Sequence, residues 1–307
     1  MNDPVDLSGL GVALATPFTA DGAVDLPAFR GLVRHVLQGG QGGVDWLVVL
    51  GTTGESATLE EAERDALVTA CLEEAAGHPV VVGTGSNSTK KAAAWTRRAQ
   101  QLGASAALVV TPYYVKPTPN GLLAHYGAVA DAAPGLPLVA YNVPGRTGVN
   151  LTAATLARLW EAVPTVLAVK ESSGNLTQIG DIGRALPAGR LLLAGDDGLA
   201  LPSIAVGAEG LVSVVANLLP AETKALVAAA RKGDLPEAQR LHQLLLPVID
   251  ALFAESSPIP LKAGLELLGL GGPTLRLPLV PAEPATVARL REALDAVRDA
   301  AFEGARR

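Results

Sequence analysis

Eight short apolar runs recur along the first 218 residues, and most are followed by a loop rich in Gly, Thr or Asn and then by an alanine-rich amphipathic segment. The runs start about 19 to 35 residues apart, which is the length that a strand, a helix and two loops occupy. They lack in-and-out alternation, as do parallel strands that are covered on both faces. Eight such units predict an α/β protein with a (β/α)8 (TIM) barrel, whose interior is filled by side chains. The runs span residues 11–17, 46–51, 80–85, 107–112, 137–144, 166–172, 191–197 and 210–218.

The strand pattern stops after about residue 233. Three amphipathic segments follow, at residues 235–255, 258–269 and 286–304, and they predict a C-terminal three-helix appendage. The sequence therefore predicts a catalytic barrel over residues 1–233 and a helical region over residues 234–307.

Two helices of the predicted barrel have recognisable capping residues. Thr58, three residues before Glu61, predicts a capping box at the start of the helix that follows the second strand. Ser88 or Thr89 predicts the cap of the next helix, and Gly103 predicts its end.

Composition narrows the class of protein further. The chain has 307 residues, of which 49% are hydrophobic and 18% charged, so it has enough apolar surface for a core and is not intrinsically disordered. A net charge of -6 predicts no nucleic-acid partner, and no apolar run approaches the roughly 20 residues that cross a bilayer, so no membrane association is expected. The single cysteine, Cys71, and the absence of a secretion signal indicate a cytoplasmic protein. No His or Cys pair has the spacing of metal ligands, so no metal is expected.

Polar residues are concentrated directly after the predicted strands. In a closed parallel barrel the loops that follow the strands meet at one rim, where the active sites of such barrels lie. Residues at these positions are therefore candidates for a functional site. They are residues 51–56, 111–114, 141–148 and 195–197, together with Lys170 inside the sixth strand.

Lys170 is the most informative of these residues. It follows the apolar sequence VLAV in a strand that the pattern predicts to be buried on both faces, where a charge is costly. Burial favours the neutral amine, which can attack a carbonyl carbon and form a Schiff base. The alternative is a structural ion pair inside the barrel, with Glu171 or an aspartate as the partner.

The neighbouring rim residues suit a small carboxylate substrate. Thr52 and Thr53 follow a glycine, so their N–H groups and hydroxyls can bind an anion, although such a sequence also occurs in simple turns. Tyr114 and Tyr141 lie at strand ends, where phenols bridged by Thr52 could transfer protons. Arg146 follows a Pro-Gly turn and could bind a carboxylate with two hydrogen bonds.

Five motifs in this order resemble one enzyme superfamily. The sequences GTTGES, TPYY, YNVPGRTG, KESSGN and GDD are similar to those of the dihydrodipicolinate synthase and N-acetylneuraminate lyase superfamily. The resemblance extends from ATPF at residues 15–18 to TLRLPL at residues 274–279. It implies a pyruvate-dependent lyase that needs no cofactor beyond the lysine imine.

The resemblance also implies roles for individual residues. Lys170 would form the imine with pyruvate, Thr52 and Thr53 would bind the pyruvate carboxylate, and Thr52 would link Tyr141 to Tyr114 in a proton relay. Tyr114 would serve the active site of a neighbouring subunit, so the resemblance implies a dimer, usually paired into a homotetramer.

The choice within the superfamily depends on fewer residues. Gly195 and the backbone carbonyl of Val212 would line the pocket. Arg146 matches the position that in the synthases binds the carboxylate of L-aspartate 4-semialdehyde, whereas sialic acid lyases resemble YNIPxLSG there. The expected reaction is therefore condensation of pyruvate with this semialdehyde to 4-hydroxy-tetrahydrodipicolinate, in lysine and diaminopimelate biosynthesis.

Two other functions stay open at this stage. One is a related lyase or aldolase that acts on N-acetylneuraminate, a 2-keto-3-deoxy sugar acid or 4-hydroxy-2-oxoglutarate. The other is a barrel that has lost catalysis and only binds a ligand, but such a protein need not keep the lysine, the tyrosines and the threonine together.

The residues at one regulatory position differ from those of lysine-inhibited members of the superfamily. Those members have histidines after the GESATL segment and a glutamate after the GTGxN segment. This chain has Glu61, Arg64 and Lys91 at the matching positions. Two cations would repel the ε-ammonium group of a lysine ligand, so the sequence predicts weak or absent feedback inhibition.

Overall fold

A computed structural model of the chain describes residues 5–38 and 42–304. Over these residues eight parallel strands form one closed barrel in which each strand pairs with its neighbours in the sequence and β8 pairs with β1. The predicted (β/α)8 barrel with C-terminal helices is confirmed. The strands are β1 (Gly9–Ala13), β2 (Trp46–Val49), β3 (Val80–Gly83), β4 (Ala106–Val110), β5 (Leu138–Asn142), β6 (Val166–Glu171), β7 (Leu191–Ala194) and β8 (Gly210–Ser213).

Helices follow the strands and cover the outside of the barrel. They are α1 (Leu26–Gln38), α2 (Glu61–Glu74), α3 (Thr89–Leu102), α4 (Pro119–Ala132), the single turn α5 (Pro144–Thr147), α6 (Ala153–Ala162), α7 (Leu176–Ala185), α8 (Ala200–Ala205) and α9 (Pro220–Lys232). Three further helices, α10 (Leu235–Leu252), α11 (Ile259–Leu267) and α12 (Pro284–Gly304), follow in the C-terminal region.

The two predicted helix starts have different outcomes. Ser88 is the N-cap of α3, and Gly103 ends that helix with a φ of 100°. The predicted capping box of α2 is wrong, because the helix begins at Glu61 and the backbone N–H of Glu60 donates to the Glu63 carboxylate at 2.9 Å. The box therefore lies two residues further along the chain, since Ser56–Thr58 forms a separate helical turn.

Alternate residues of most strands belong to different apolar clusters. Val48, Leu108 and Val139 belong to a cluster inside the barrel, whereas Leu47 and Val49 belong to a cluster that contains residues of the surrounding helices. This division follows from the two-residue repeat of a β-strand. The eighth apolar run ends as a strand at Ser213, and Val215–Asn217 forms a helical turn at the rim.

The C-terminal helices pack directly on the barrel. Leu241 and Leu245 of α10, Leu261 of α11 and Leu290 of α12 share one apolar cluster with residues of β1 and α1. The boundary at residues 233 and 234 stays a prediction, although Asp234 caps the start of α10. In the described parts of the chain no helix is both long enough and apolar enough to span a membrane.

Candidate active site

An open cavity of about 180 Å³ lies at the carboxyl ends of the strands. Six of the eight predicted site residues line it, which agrees with their position in or just after the carboxyl ends of strands. Its lining residues are Ala13, Val48, Gly51, Thr52, Thr53, Leu108, Tyr141, Val143, Arg146, Lys170, Ser172, Gly195, Asp196, Val214, Phe253 and Ser257.

Strand register brings Lys170 and Tyr141 together inside the cavity. The two residues are direct partners in the β5–β6 pairing, so their side chains leave the sheet on the same face. The Lys170 Nζ atom lies 4.3 Å from the centre of the Tyr141 ring, and the lysine is 6% exposed. The structure thus places a buried amine against a phenol ring at the bottom of an open cavity.

Lys170 does not pair with its neighbour Glu171. Glu171 accepts hydrogen bonds from the Asn142 side chain at 2.9 Å and from the Ser173 backbone at 2.7 Å. Consecutive strand residues point to opposite faces, so Glu171 points away from the barrel interior. Among the described residues Lys170 has no carboxylate within 4.0 Å, and the structural ion pair considered from the sequence is absent there.

Thr52 and Thr53 lie in a tight turn after β2. Thr52–Gly54 forms one helical turn, in which the Gly54 N–H donates to the Gly51 carbonyl at 3.1 Å. Thr53 is buried and Thr52 is exposed, but both line the cavity. A short turn of this type directs hydroxyl and N–H groups toward a bound anion.

Tyr114 does not reach the cavity of its own chain. Its side chain is 86% exposed, and its backbone has a φ of 72° and donates from its N–H to the Thr147 carbonyl at 3.1 Å. Within the described residues no hydrogen bond joins Thr52, Tyr141 and Tyr114, so the predicted relay is not formed inside one subunit. Its place on the surface leaves the ring available to a neighbouring molecule.

Arg146 lies on the single turn α5 at the edge of the cavity. Its Nη2 atom donates to the Ser257 carbonyl at 3.0 Å. Ser257 and Phe253, from the segment between α10 and α11, line the cavity beside it. These two residues were not among the predicted site residues, because nothing in the local pattern at residues 253–257 indicates contact with a loop more than 100 positions earlier.

Gly195 has no side chain, and the Lys170 side chain occupies the space beside it. A Cβ atom at this position would lie 2.0 Å from Ser172 Oγ and 2.8 Å from Lys170 Cε. The Ser172 hydroxyl is buried and has no hydrogen-bond partner among the described residues. Ser172 lines the cavity but was not among the predicted site residues. Its position directly after the Lys170-Glu171 pair was the available signal.

Val212 lies inside the barrel and is not among the residues that line the cavity. It belongs to the same interior cluster as Tyr141 and Val48 and is fully enclosed.

The next residue, Ser213, contacts a buried carboxylate beside the cavity, since its hydroxyl donates to Asp197. Burial raises the pKa of Asp197 to about 6, and this carboxylate also accepts a hydrogen bond from the Val214 N–H at 2.9 Å. Asp197 therefore fixes the turn after β8, next to the cavity.

In the part of the chain that the structure describes, no three His, Cys, Asp or Glu residues are placed to hold a metal ion together.

A closed parallel barrel with a lysine buried near the carboxyl ends of its strands is an arrangement that suits a lyase of the class I aldolase type. The chain belongs to the dihydrodipicolinate synthetase family, which it matches over residues 6–297.

Known relatives are similar over almost their whole length. The chain is 49% identical over 289 residues to the 4-hydroxy-tetrahydrodipicolinate synthase of Thermomicrobium roseum, which covers 94% of each chain. It is 41% identical to the dihydrodipicolinate synthase structure from Thermotoga maritima, with a TM-score of 0.90 over 94% of this chain and 98% of that one. A lysine-bound structure from Cyanidioschyzon merolae is 40% identical, with a TM-score of 0.90 over 94% and 98% of the two chains.

These findings confirm the predicted family, the predicted lyase class and the predicted synthase function. Curated relatives that are 44% to 49% identical to this chain carry the 4-hydroxy-tetrahydrodipicolinate synthase name, so they favour this function over the related sugar-acid lyases and aldolases.

Proposed function

We propose that this chain condenses pyruvate with L-aspartate 4-semialdehyde through an imine on Lys170. The observation that supports it is the placement of Lys170, which is buried beside Tyr141 in an open cavity and lacks a carboxylate partner among the described residues. A buried amine without a counter-ion is costly as a structural element but suits a nucleophile.

The reaction proceeds through covalent steps on this amine. Lys170 Nζ attacks the keto carbon of pyruvate, and water leaves as the imine forms. The protonated imine withdraws electrons, so the methyl group loses a proton and gives an enamine. The enamine carbon attacks the aldehyde carbon of the semialdehyde and forms the new carbon–carbon bond. The amino group that came from the semialdehyde then attacks the imine carbon, which closes the ring and releases Lys170. The imine itself supplies the electron withdrawal, so the proposal requires no metal or organic cofactor.

The threonines and tyrosines bind pyruvate and transfer protons. Thr52 and Thr53 hold the pyruvate carboxylate, which their position on the cavity wall supports. Tyr141 exchanges protons with the imine intermediates through Thr52 and a Tyr114 from the neighbouring subunit. The 86% exposure of Tyr114 supports this exchange between subunits, and the smallest active unit is then a dimer.

We further propose that two such dimers pair into a homotetramer. Leu176 at the start of α7 and Val206, directly after α8, are exposed large apolar residues, and covering such residues in a further interface supports this assembly.

We propose a cytoplasmic location for this protein. Cys71 is the only cysteine of the sequence and is buried as a free thiol, which suits the reducing conditions of the cytoplasm.

Arg146 and Gly195 complete the pocket for both substrates. Arg146 binds the carboxylate of the semialdehyde at the edge of the cavity, while its bond to the Ser257 carbonyl fixes its direction. Gly195 keeps the space beside Lys170 open. Val212, which the resemblance assigns to the pocket, lies in the interior cluster outside the cavity wall, so we propose no contact between it and the substrates.

Borohydride reduction in the presence of pyruvate tests the imine. We expect one reduced pyruvyl group on the peptide that contains Lys170, and none on the Lys170→Ala variant. Lys224→Ala is the matched control, because Lys224 pairs with Asp45 away from the cavity and should leave the labelling unchanged. An unlabelled Lys170 peptide in the unmodified protein would contradict the proposal.

Assays with alternative aldehydes test the second substrate. Ring formation from L-aspartate 4-semialdehyde should be faster than condensation with sugar aldehydes or glyoxylate. Arg146→Ala should raise the KM of the semialdehyde by about tenfold and leave the KM of pyruvate within about twofold. Equal rates with the other aldehydes would favour a related aldolase.

A further inference from the structure

A fully buried lysine outside the cavity connects the C-terminal region to the turn that carries the threonines. Lys262 of α11 is 0% exposed. Its Nζ atom lies 3.2 Å from Glu55 Oε1 and donates to the carbonyls of Thr16 and, at 2.9 Å, Thr274. The same atom lies 4.2 Å from the centre of the Phe18 ring. This ammonium group is therefore held on several sides by the barrel and by the C-terminal segment.

Arg276 holds the other oxygen of the same carboxylate. Its backbone N–H donates to Glu55 Oε2 at 3.0 Å. Its guanidinium group donates to the carbonyls of Thr58 and Gly22, each at 2.9 Å, and pairs with Glu63. Both carboxylate oxygens of Glu55 thus contact the C-terminal region of the chain.

Glu55 ends the turn of residues 50–55, which we call the threonine turn. Leu50 and Glu55, at its two ends, have φ values of 60° and 51°, in the left-handed region that residues other than glycine rarely adopt. Such conformations persist where surrounding contacts enforce them, and they are concentrated at functional sites. Thr52 and Thr53 lie between these two residues and line the cavity.

Stability alone does not explain a buried ion pair at this place. The desolvation of two charges can exceed the attraction between them, and apolar residues of similar volume often give equal stability. Charged groups do impose one arrangement on their surroundings, because each remaining donor must find an acceptor. The Lys262 donors reach Thr16, whose own hydroxyl donates to the Gly54 carbonyl of the threonine turn at 2.8 Å.

We propose that Lys262 is a positioning residue for pyruvate binding. Together with Glu55 and Arg276 it holds the threonine turn in the conformation that presents Thr52 and Thr53 to the substrate carboxylate. This inference rests on the proposed role of the two threonines and adds the C-terminal helices to the architecture of the active site. Lys262 itself touches no substrate, since it is absent from the cavity wall.

Steady-state kinetics of the Lys262→Met variant test the proposal. We expect the KM of pyruvate to rise about tenfold, while kcat and the KM of the semialdehyde change by less than about threefold. The matched control is Lys224→Met, which breaks a lysine–aspartate pair at the other end of the barrel and should change none of these constants.

A double variant separates positioning from stability. Glu55→Gln with Lys262→Met leaves no unpaired buried charge at this place, so it should regain part of the Tm that Lys262→Met loses. The KM of pyruvate should stay high, because the turn still lacks its ionic anchor. If Lys262→Met does not fold, Glu55→Gln alone should show the same rise in KM.

Two results would overturn the inference. One is an unchanged KM of pyruvate in a folded Lys262→Met or Glu55→Gln variant, and the other is a recovery of this KM together with the Tm in the double variant. A failure of the proposed function would look different, because the unmodified protein would then show no borohydride label on Lys170.

Discussion

Lys170 and Glu171 are adjacent in the sequence but lie in opposite environments. The pleat of β6 turns Lys170 into the barrel beside Tyr141 and turns Glu171 outward, where Asn142 and Gln178 donate to its carboxylate. A shift of one residue in the register would exchange the two side chains and remove the nucleophile from the cavity. The chemistry of the site therefore depends on the pairing of β5 with β6.

At the scale of one residue, Gly195→Ala should slow imine formation. The added Cβ would lie within 3.0 Å of Ser172 Oγ and Lys170 Cε, so the lysine side chain must move. A displaced nucleophile can cost about 100-fold in rate, and we expect a loss of at least about tenfold in the rate of borohydride-trapped pyruvate. Gly198→Ala is the control, because the nearest atom to its Cβ is 3.4 Å away. Equal trapping rates in the two variants would show that the space at Gly195 is not needed.

At the scale of elements, α2 and α3 enclose a second cavity of about 230 Å³. Arg64 lines it, stacks on the Trp95 ring at 4.1 Å and donates to the carbonyls of Ser56 and Gly83. Burial lowers the pKa of Arg64 to about 10, so the group still carries its charge at neutral pH. Arg64, which the sequence predicts to repel a lysine ligand, is therefore a positively charged group held in place by these contacts.

We expect L-lysine at micromolar concentrations to leave the rate of ring formation unchanged. Asp65 of this cavity is paired with Arg98, so Glu61 is the carboxylate that remains opposite Arg64. With Lys91 on α3, the cations near α2 outnumber it and oppose the binding of an ε-ammonium group. The measurement is the initial rate across a lysine titration, with L-norleucine, which lacks the second amine, as the control ligand. Half-maximal inhibition in the micromolar range would contradict this prediction.

The packing of α3 against α4 predicts a dependence of stability on pH. His125 of α4 is buried, and its Nδ1 atom lies 3.0 Å from the Thr89 hydroxyl. Burial lowers the pKa of His125 to about 4, whereas an unfolded histidine takes up its proton near 6.5. Stability from this group is complete above pH 6.5 and is lost as the pH falls toward 4, by about 1 to 2 kcal/mol at pH 5.

Denaturant unfolding at pH 7.5 and pH 5 measures this loss. His125→Gln removes the titration and keeps a hydrogen-bonding group for Thr89, so its stability should fall less between the two pH values than that of the unmodified protein. His78→Gln, at an exposed histidine, is the control and should behave as the unmodified protein does. The same pH dependence in all three proteins would rule out a role for His125.

The elements differ in how well the sequence predicts them. The barrel strands and the Lys170 position follow from local patterns, because an apolar run and a lone lysine inside it can be read without knowing the fold. The end of β8 at Ser213 was not predictable in this way, because the residues that follow are equally apolar but form a turn around Asp197. The α2 capping box was misplaced for a similar reason, since the helical turn Ser56–Thr58 had no signal of its own.

For the molecule as a whole, long-range contacts decide how the site is completed. One apolar cluster joins the barrel to α10, α11 and α12, and this packing brings Ser257 to Arg146 and Lys262 to Glu55. Contacts between residues more than 100 positions apart cannot be predicted from a local sequence pattern. Lys262 had one available signal, which is a charge among the apolar and small residues 258–265 at the start of α11.

Mixed oligomers test whether the site also needs a second subunit. A Lys170→Ala chain paired with a Tyr114→Ala chain contains one site with both an intact Lys170 and a Tyr114 from its neighbour. If Tyr114 acts across the interface, random mixing of two inactive variants in dimers restores about a quarter of the unmodified activity. The measurement is the rate of ring formation after the two variants are unfolded and refolded together.

The control for this mixing is a pair of variants that damage one and the same cavity. Thr52 and Lys170 line the cavity of a single chain, so a mixture of Thr52→Ala with Lys170→Ala leaves every site without one of the two groups. That mixture should stay inactive, whereas the Tyr114 mixture gains activity. If the Tyr114 mixture also stays inactive, although size-exclusion chromatography of mass-tagged chains shows that mixed dimers have formed, then Tyr114 does not act in the neighbouring site. The exposed position of its ring would in that case reflect only the packing of residues 113–116 against α5.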